Sequence, residues 1–301
     1  MNQLFVFLQQ LLCVTMFLHN LEEFIYICIK TRPMKNIVTI FAAMIAFTAT
    51  AQNTFTHKTA TAEVILLSEG QREGGLNTLI GVTQEMIAEV APNNTYPSAT
   101  NVFLIRTKSG KNILVDTGYG RELFTGLQSV GLTPESVDAI LITHLHGDHI
   151  GGLLRDDKAA FPKAQLLMSK LEAQSANESA RKAMDQYELV TFDPVDNAPT
   201  TIFDDVKAMA NYGHTPGHTV YFIDNVAIWG DMTHAMAFQI PYPRVAVTYD
   251  VNSEAAVASR VKMLEYLAAN NYIVCGMHIA YPGIGTLKSN DKGGYIFTPL
   301  K

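Results

Sequence analysis

Cysteine is nearly absent from this chain. Cys13, Cys28 and Cys275 are the only ones in 301 residues. The first two fall in a leader-like stretch, so the body of the chain keeps Cys275 alone and no internal disulfide can brace it. Charge is also sparse, at 17% of residues with a net of -6. With no basic excess, a phosphate-backbone partner such as nucleic acid is argued against. Residues 1–33 lack an unbroken apolar run of the roughly 20 residues that a membrane span needs, because Gln9, Gln10, His19, Glu22 and Glu23 interrupt it. No linker, repeat or low-complexity tract follows residue 51. Stability must then come from a core, for which 48% hydrophobic residues are ample, and from any bound metal.

The N-terminal stretch has its own grammar. Met34-Lys35-Asn36, the run IVTIFAAMIAFT and Ala49-Thr50-Ala51 supply the positive start, apolar centre and small-x-small end of a secretory signal. Residues 1–33 then read as a non-native upstream extension, 34–51 as the signal peptide and 52–301 as one exported domain. That domain would be periplasmic or secreted, with no stable membrane insertion once the signal is removed.

The body alternates strand-like and helix-like runs. Thr61–Leu67, Asn101–Arg106, Asn112–Asp116, Asp138–Thr143 and Ala164–Met168 read as strands. So do Val206–Ala210, Val220–Ile223, Val226–Trp229 and Tyr272–Cys275. Ser109-Gly110 and Asp224-Asn225 mark hairpins. Helices are expected over 121–130, stopped by Gly131, over 170–186, and over 253–269 behind an Asn252 or Ser253 cap. Residues 68–99 show no strong periodicity beyond a helical patch at 83–90. Strands followed by helices, twice, suggest two packed sheets with helices outside.

The stretch Thr143-His144-Leu145-His146-Gly147-Asp148-His149-Ile150 is the chemical centre. Four potential metal ligands fall within six residues directly behind a core strand. Imidazole and carboxylate together suit zinc and its neighbours. Three later strand-like runs end the same way, at Gly213-His214-Thr215-Pro216-Gly217-His218, at Gly230-Asp231 and at Gly276-Met277-His278. Of nine histidines, seven lie at these strand ends: His144, His146, His149, His214, His218, His234 and His278. Such placement points to one convergent metal site.

These motifs resemble the metallo-β-lactamase superfamily, as do Asn101-Val102-Phe103-Leu104 and Leu114-Val115-Asp116-Thr117-Gly118. The resemblance covers residues 61–300. It implies a single-domain α/β fold, the αββα sandwich, with a two-metal site between the sheets. It places His144, His146 and His214 on one divalent metal, and Asp148, His149 and His278 on a second. Asp231 bridges both, zinc is the expected metal, and His218 is left a supporting role. A metal-bridged hydroxide would attack a lactone or ester carbonyl, with Asp148 or Asp231 carrying the proton.

Within the family, Asp231 stands where the main zinc β-lactamases have Cys, and only 23 residues follow His278, too few for a hydroxyacylglutathione hydrolase's helical domain. The ending His278-Ile279-Ala280-Tyr281-Pro282-Gly283-Ile284-Gly285 resembles that of methyl parathion hydrolases. N-acyl-homoserine lactonases are close in motif and metal set. A small-molecule ester or lactone is therefore the expected partner, with an organophosphate triester as the alternative and a possible homodimer. A mono-iron oxidoreductase such as a persulfide dioxygenase is the reading from another class. His234, Phe238 and Tyr242 are the candidate substrate contacts, and Cys275 is expected in the core.

Overall fold

The computed structural model describes residues 54–301; the extension and signal peptide read from residues 1–51 lie outside them. The first half of this region forms β1 (Thr54–Lys58), β2 (Ala62–Gly75), β3 (Thr95–Thr107), β4 (Asn112–Val115), β5 (Ala139–Leu141), β6 (Gln165–Ser169) and β7 (Glu188–Phe192). They lie side by side in chain order as one sheet. Pairing is antiparallel from β1 to β4 and parallel from β4 to β7. The second half repeats the scheme with β8 (Thr200–Phe203), β9 (Val206–Ala210), β10 (Thr219–Ile223), β11 (Val226–Ile228), β12 (Ile273–Cys275), β13 (Ile284–Ser289) and β14 (Tyr295–Pro299). Only β11 and β12 pair in parallel there.

Parallel neighbours need a crossover, usually a helix. The chain supplies α2 (Leu123–Ser129) before β5; the helix α1 (Gln84–Val90) lies earlier, between β2 and β3. The single turn α3 (Gly147–Ile150), then α4 (Lys170–Ser175) and α5 (Glu178–Met184), precede β7. The short α6 (Met236–Gln239) and the long α7 (Ser253–Ala269) precede β12.

The layers follow from side-chain alternation along each strand. Val64, Leu66, Phe103, Ile105, Ile113 and Val115 face the second sheet, meeting Val206, Tyr221, Ile223 and Ile228. Their neighbours Ile65, Leu67, Val102, Leu104 and Leu114 face the opposite way, onto Leu123, Leu127, Ala180 and Met184 of the helices. On the far side, Val220, Phe222 and Val274 pack on Met263, Leu264 and Leu267 of α7. Because central strands are covered on both faces, they read in sequence as continuous apolar runs. The result is the expected αββα sandwich.

The helix over 253–269 has the expected bounds, and the Asn252 side chain caps it by accepting from the Ala255 N–H. The helix expected over 170–186 is broken. Ala176 turns extended, and Asn177 caps a second helix by accepting from Ala180 N–H. Residues 68–99 are more regular than their pattern: β2 runs on to Gly75 and pairs with β3 from Thr95, past an irregularity at Ser68/Gly70. This outer arm carries Gln71, Arg72, Glu73 and glycines, so it offers no apolar alternation to read. Strands β1, β7, β8, β13 and β14 escaped the sequence for a related reason. They flank the sheets and are only partly buried. Cys275 is fully buried in the inter-sheet core, as expected, and burial raises its thiol well above its usual range.

Candidate metal centre

The ends of β5, β9, β11 and β12 come together at one edge of the sandwich. Two contacts between the sheets fix this edge: Thr219 N–H donates to Thr143 O at 3.0 Å, and Tyr221 Oη to Ile142 O at 2.6 Å. The loop behind β5 is tied to the end of β4 by Asp116. Its buried carboxylate accepts from Thr143 N–H and Thr143 Oγ1–H, each at 2.7 Å, and lies 2.6 Å from His149 Nδ1. Asp116 reaches these donors from a left-handed backbone, φ 62°, which Asp tolerates better than most residues.

All seven residues predicted as ligands meet here. His144, His146, His214 and Asp231 form one donor group, and Asp148, His149 and His278 form another beside it. His146 Nδ1 lies 3.0 Å from His144 Nε2 and 3.1 Å from His214 Nε2. Asp231 stands between the groups. Its Oδ1 is 3.1 Å from both His149 Nε2 and His278 Nε2, and its Oδ2 is 3.5 Å from His214 Nε2 and 3.8 Å from His144 Nε2. Asp148 Oδ2 is 3.4 Å from His278 Nε2.

The outer hydrogen bonds decide what the inner nitrogens can do. His214 Nδ1 faces the Asp250 carboxylate at 2.9 Å and His278 Nδ1 faces the Ala99 carbonyl at 2.8 Å. Carboxylates and carbonyls only accept, so both Nδ1 atoms carry the proton and both Nε2 atoms present a lone pair. Asp116 imposes the same tautomer on His149. Thr143 Oγ1, already donating to Asp116, accepts from His144 Nδ1 at 3.1 Å, which leaves His144 Nε2 bare as well. The lone pairs of His278, His214 and His144 thus point at the Asp231 oxygens, at 3.1, 3.5 and 3.8 Å. His149 Nε2 and Asp231 Oδ1 are buried without a hydrogen-bond partner. Buried polar atoms normally find partners; here cations would satisfy them, and an N,O donor set of this kind fits zinc.

Burial lowers His144 well below its ordinary range, with His149 adding to the effect. For His149, burial is outweighed by the carboxylates of Asp231 and Asp116, which raise it well above that range, so without a cation Nε2 keeps a proton facing Asp231 and a bound metal would have to displace it. Burial likewise fails to raise Asp231, because His278, His149 and His144 hold it well below the usual carboxylate range.

His218 lies outside both donor groups. Its Nε2 accepts from the Asp231 N–H at 3.0 Å, and burial pushes its pKa down to about 3. It therefore supports the backbone of Asp231. Gly230 makes that approach possible: it is left-handed, φ +56°, and a Cβ there would lie 2.6 Å from His218 Nε2.

Glu172 is a strap that no pattern in the sequence singles out. It is 1% exposed. Its Oε1 accepts from Leu145 N–H between His144 and His146. Its Oε2 accepts from Thr215 Oγ1–H and Gly217 N–H in the His214 loop. Burial raises its pKa, against these donors. Glu172→Ala strands three buried donors, each costing about 1–3 kcal/mol. The expected loss is about 3 kcal/mol or more in denaturant unfolding, with metal affinity weakened about 10–100-fold in a chelator competition. A variant within experimental error of the native protein in both would refute the strap.

The centre opens into a cleft of ≈ 550 Å³ bounded by Arg72, Tyr96, Tyr119, His146, Asp148, His234 and Tyr249, among others. His234 is in it, its ring 4.2 Å from that of His278 and 4.9 Å from that of Tyr249. Burial, with His278 adding, pushes its pKa down to about 3. The other two candidate substrate residues are elsewhere. Phe238 is fully buried, edge-on to Tyr96. Tyr242 borders a separate groove and donates to Glu89 at 2.6 Å. The turn α6 rotates both away from the metal side. Arg72, Tyr249, Asp116, Asp250 and Glu172 were not proposed from sequence as parts of the site. Their partners are distant in the chain, so no local spacing could reveal them; a charged Asp116 directly after an apolar strand was the one available hint.

Fold and donor geometry define a four-layer α/β protein with clustered His and Asp donor groups that could hold metal, set on either side of Asp231. The chain belongs to the metallo-beta-lactamase superfamily, whose family model matches residues 95–274. Among solved structures, AidC, a dizinc quorum-quenching lactonase in complex with the product N-hexnoyl-L-homoserine, is similar with a TM-score of 0.74 and 25% identity, over 82% of this chain and 97% of that one. AbOPH, a hydrolase in the beta lactamase superfamily, is similar in fold with a TM-score of 0.73 and 24% identity, over the same shares. The hydroxyacylglutathione hydrolase of Vibrio campbellii is 31% identical over 132 residues, 44% of this chain and 46% of that protein. The anti-Pycsar protein Apyc1 of Bacillus phage vB_BsuM-Goe3 is 47% identical over 53 residues, 18% of this chain and 20% of that protein. The chain thus spans less than half the length of these two curated relatives.

Proposed function

We propose that this protein is a metal-dependent hydrolase that opens lactones or cleaves related carboxylate esters in its Asp231-centred cleft. The observation that carries this reading is the pair of lone-pair-bearing donor groups on either side of one buried carboxylate, at the floor of an open cleft. His144, His146, His214 and Asp231 would hold one divalent cation, and Asp148, His149, His278 and Asp231 the other, with zinc the best fit to the donors. Bound metals supply an acidified water and a Lewis acid for the scissile carbonyl.

The chain's own residues do the rest. Asp116, Asp250 and the Ala99 carbonyl hold the imidazoles in the binding tautomer. Asp231 is enclosed by four imidazoles, whereas the Asp148 side chain is 18% exposed to the cleft. Asp148 is therefore the better proton carrier. It takes the proton of the attacking water as the carbon–oxygen bond forms, and returns it to the alcohol oxygen as the old ester bond breaks. His234, neutral at physiological pH, is placed to hydrogen-bond substrate. Export is part of the proposal and rests on the signal-like residues 34–51.

The test is metal analysis of purified residues 52–301, run with a panel of acyl-homoserine lactones, aryl esters and paraoxon-type triesters. Two metals per chain and turnover of the lactones or esters is the expected result. Turnover of triesters alone would move the reaction to phosphorus. One iron with oxygen uptake and no hydrolysis would overturn the proposal.

A further inference from the structure

We infer that Arg72 forms an anion subsite in the wall of the cleft, and that the ester or lactone taken there carries a carboxylate away from the bond that breaks. The inference rests on the hydrolase reading for the word ester, but the subsite itself stands on the geometry of Arg72.

Arg72 lies on the outer arm of β2, opposite Ser98 of β3, and lines the same cleft as Asp148 and Asp231. It is half-buried there. The guanidinium is pinned: Nη1 donates to the hydroxyl of Thr100 at 2.8 Å, and Thr100 is itself buried. Nη2 lies 3.1 Å from His278 Nδ1. That nitrogen already carries the proton donated to the Ala99 carbonyl, so it cannot accept from Arg72. Of the five N–H groups of a guanidinium, only one then has an acceptor among the described residues.

No carboxylate among the described residues lies within ion-pair distance of Arg72, although Glu73 also lines the cleft. A partly desolvated arginine without an anionic partner is costly. This one is also fixed beside a centre that would hold further positive charge. A negatively charged ligand removes that cost. The planar fork matches a carboxylate in a two-point contact, and the same cleft is lined by further polar side chains, among them Ser98, Asn77 and Thr78. The cleft therefore favours an acidic ester over a neutral, fatty one.

Two measurements on the metal-loaded protein test this together. The first is calorimetric binding of benzoate to the native protein, Arg72→Lys and Arg72→Met. Loss of a charge-assisted hydrogen-bonded contact weakens binding by about 10–100-fold in Arg72→Met, and less in Arg72→Lys, which keeps the charge but not the fork. The second is kcat/KM for pairs of aryl esters that differ only in a free carboxylate against its methyl ester. The native protein prefers the free carboxylate, and Arg72→Met lowers that preference by about 10-fold or more, chiefly through KM.

Equal benzoate binding by all three proteins overturns the subsite. So does a native preference for the methyl ester, or a fall in kcat that is the same for both esters, which would assign Arg72 to the developing charge instead. Arg72-dependent benzoate binding without hydrolysis of any ester supports the subsite and overturns the hydrolase reading.

Discussion

Replacing Asp231 by Asn removes at least one metal from the centre and lowers kcat/KM by about 10³-fold or more. Asp231 stands between the two donor groups, with Oδ1 near His149 and His278 and Oδ2 near His278, His214 and His144. Asn keeps the shape but replaces one oxygen by an NH2 that cannot ligate, and it removes the charge that balances two cations. Lewis-acid stabilisation is worth several kcal/mol, and about 1.4 kcal/mol is a factor of ten in rate; hence the magnitude. The backbone should survive, because His218 still accepts from the residue 231 N–H. Metal content by mass spectrometry and kcat/KM on the best substrate decide the matter together. An Asn variant with two metals and activity within tenfold of native would show that the bridge is not needed.

Stripping the metals with a chelator abolishes activity and lowers Tm steeply, and adding zinc back restores both. The emptied site keeps the bare Nε2 atoms of His144 and His214 facing the Asp231 carboxylate at 3.8 and 3.5 Å, in a region where His144, His149 and Asp231 are almost wholly buried. Metal binding to the folded chain alone stabilises it by about 4 kcal/mol per site when free metal is a thousandfold above the dissociation constant. Two sites give about 8 kcal/mol, and a domain of this size loses about 2–4 °C of Tm per kcal/mol. A drop of about 15–30 °C is expected in calorimetry, with no disulfide to soften it, since Cys275 is the one free cysteine among the described residues. An emptied protein that melts with the native one would mean that the donors relax without metal and that the site is not what holds this edge of the sandwich together.

The donors themselves were legible because each follows a core strand. An apolar run ending in His144-Leu145-His146-Gly147-Asp148-His149, or in Gly230-Asp231, is a local pattern, and strand ends of a sandwich gather at its edges. The substrate side was not legible in the same way. His234, Phe238 and Tyr242 looked equivalent as neighbours of Asp231, yet one turn of helix sends Phe238 into the core and Tyr242 to another groove, leaving only His234 in the cleft.

Local pattern was enough for the buried strands, the long capped helix, the two-sheet class and the seven candidate ligands that the fold brings together. In each case the information is local: period, cap or motif. Tertiary structure alone decided which tautomer each imidazole adopts, through Asp116, Asp250 and the Ala99 carbonyl. It also decided that Glu172 ties the His144 and His214 loops, and that a polar arm of β2 brings Arg72 to the cleft. These depend on single contacts between residues distant in the chain, and such contacts leave no periodic trace. One buried carboxylate or one unpaired guanidinium is ordinary in sequence; its neighbours in space give it its role.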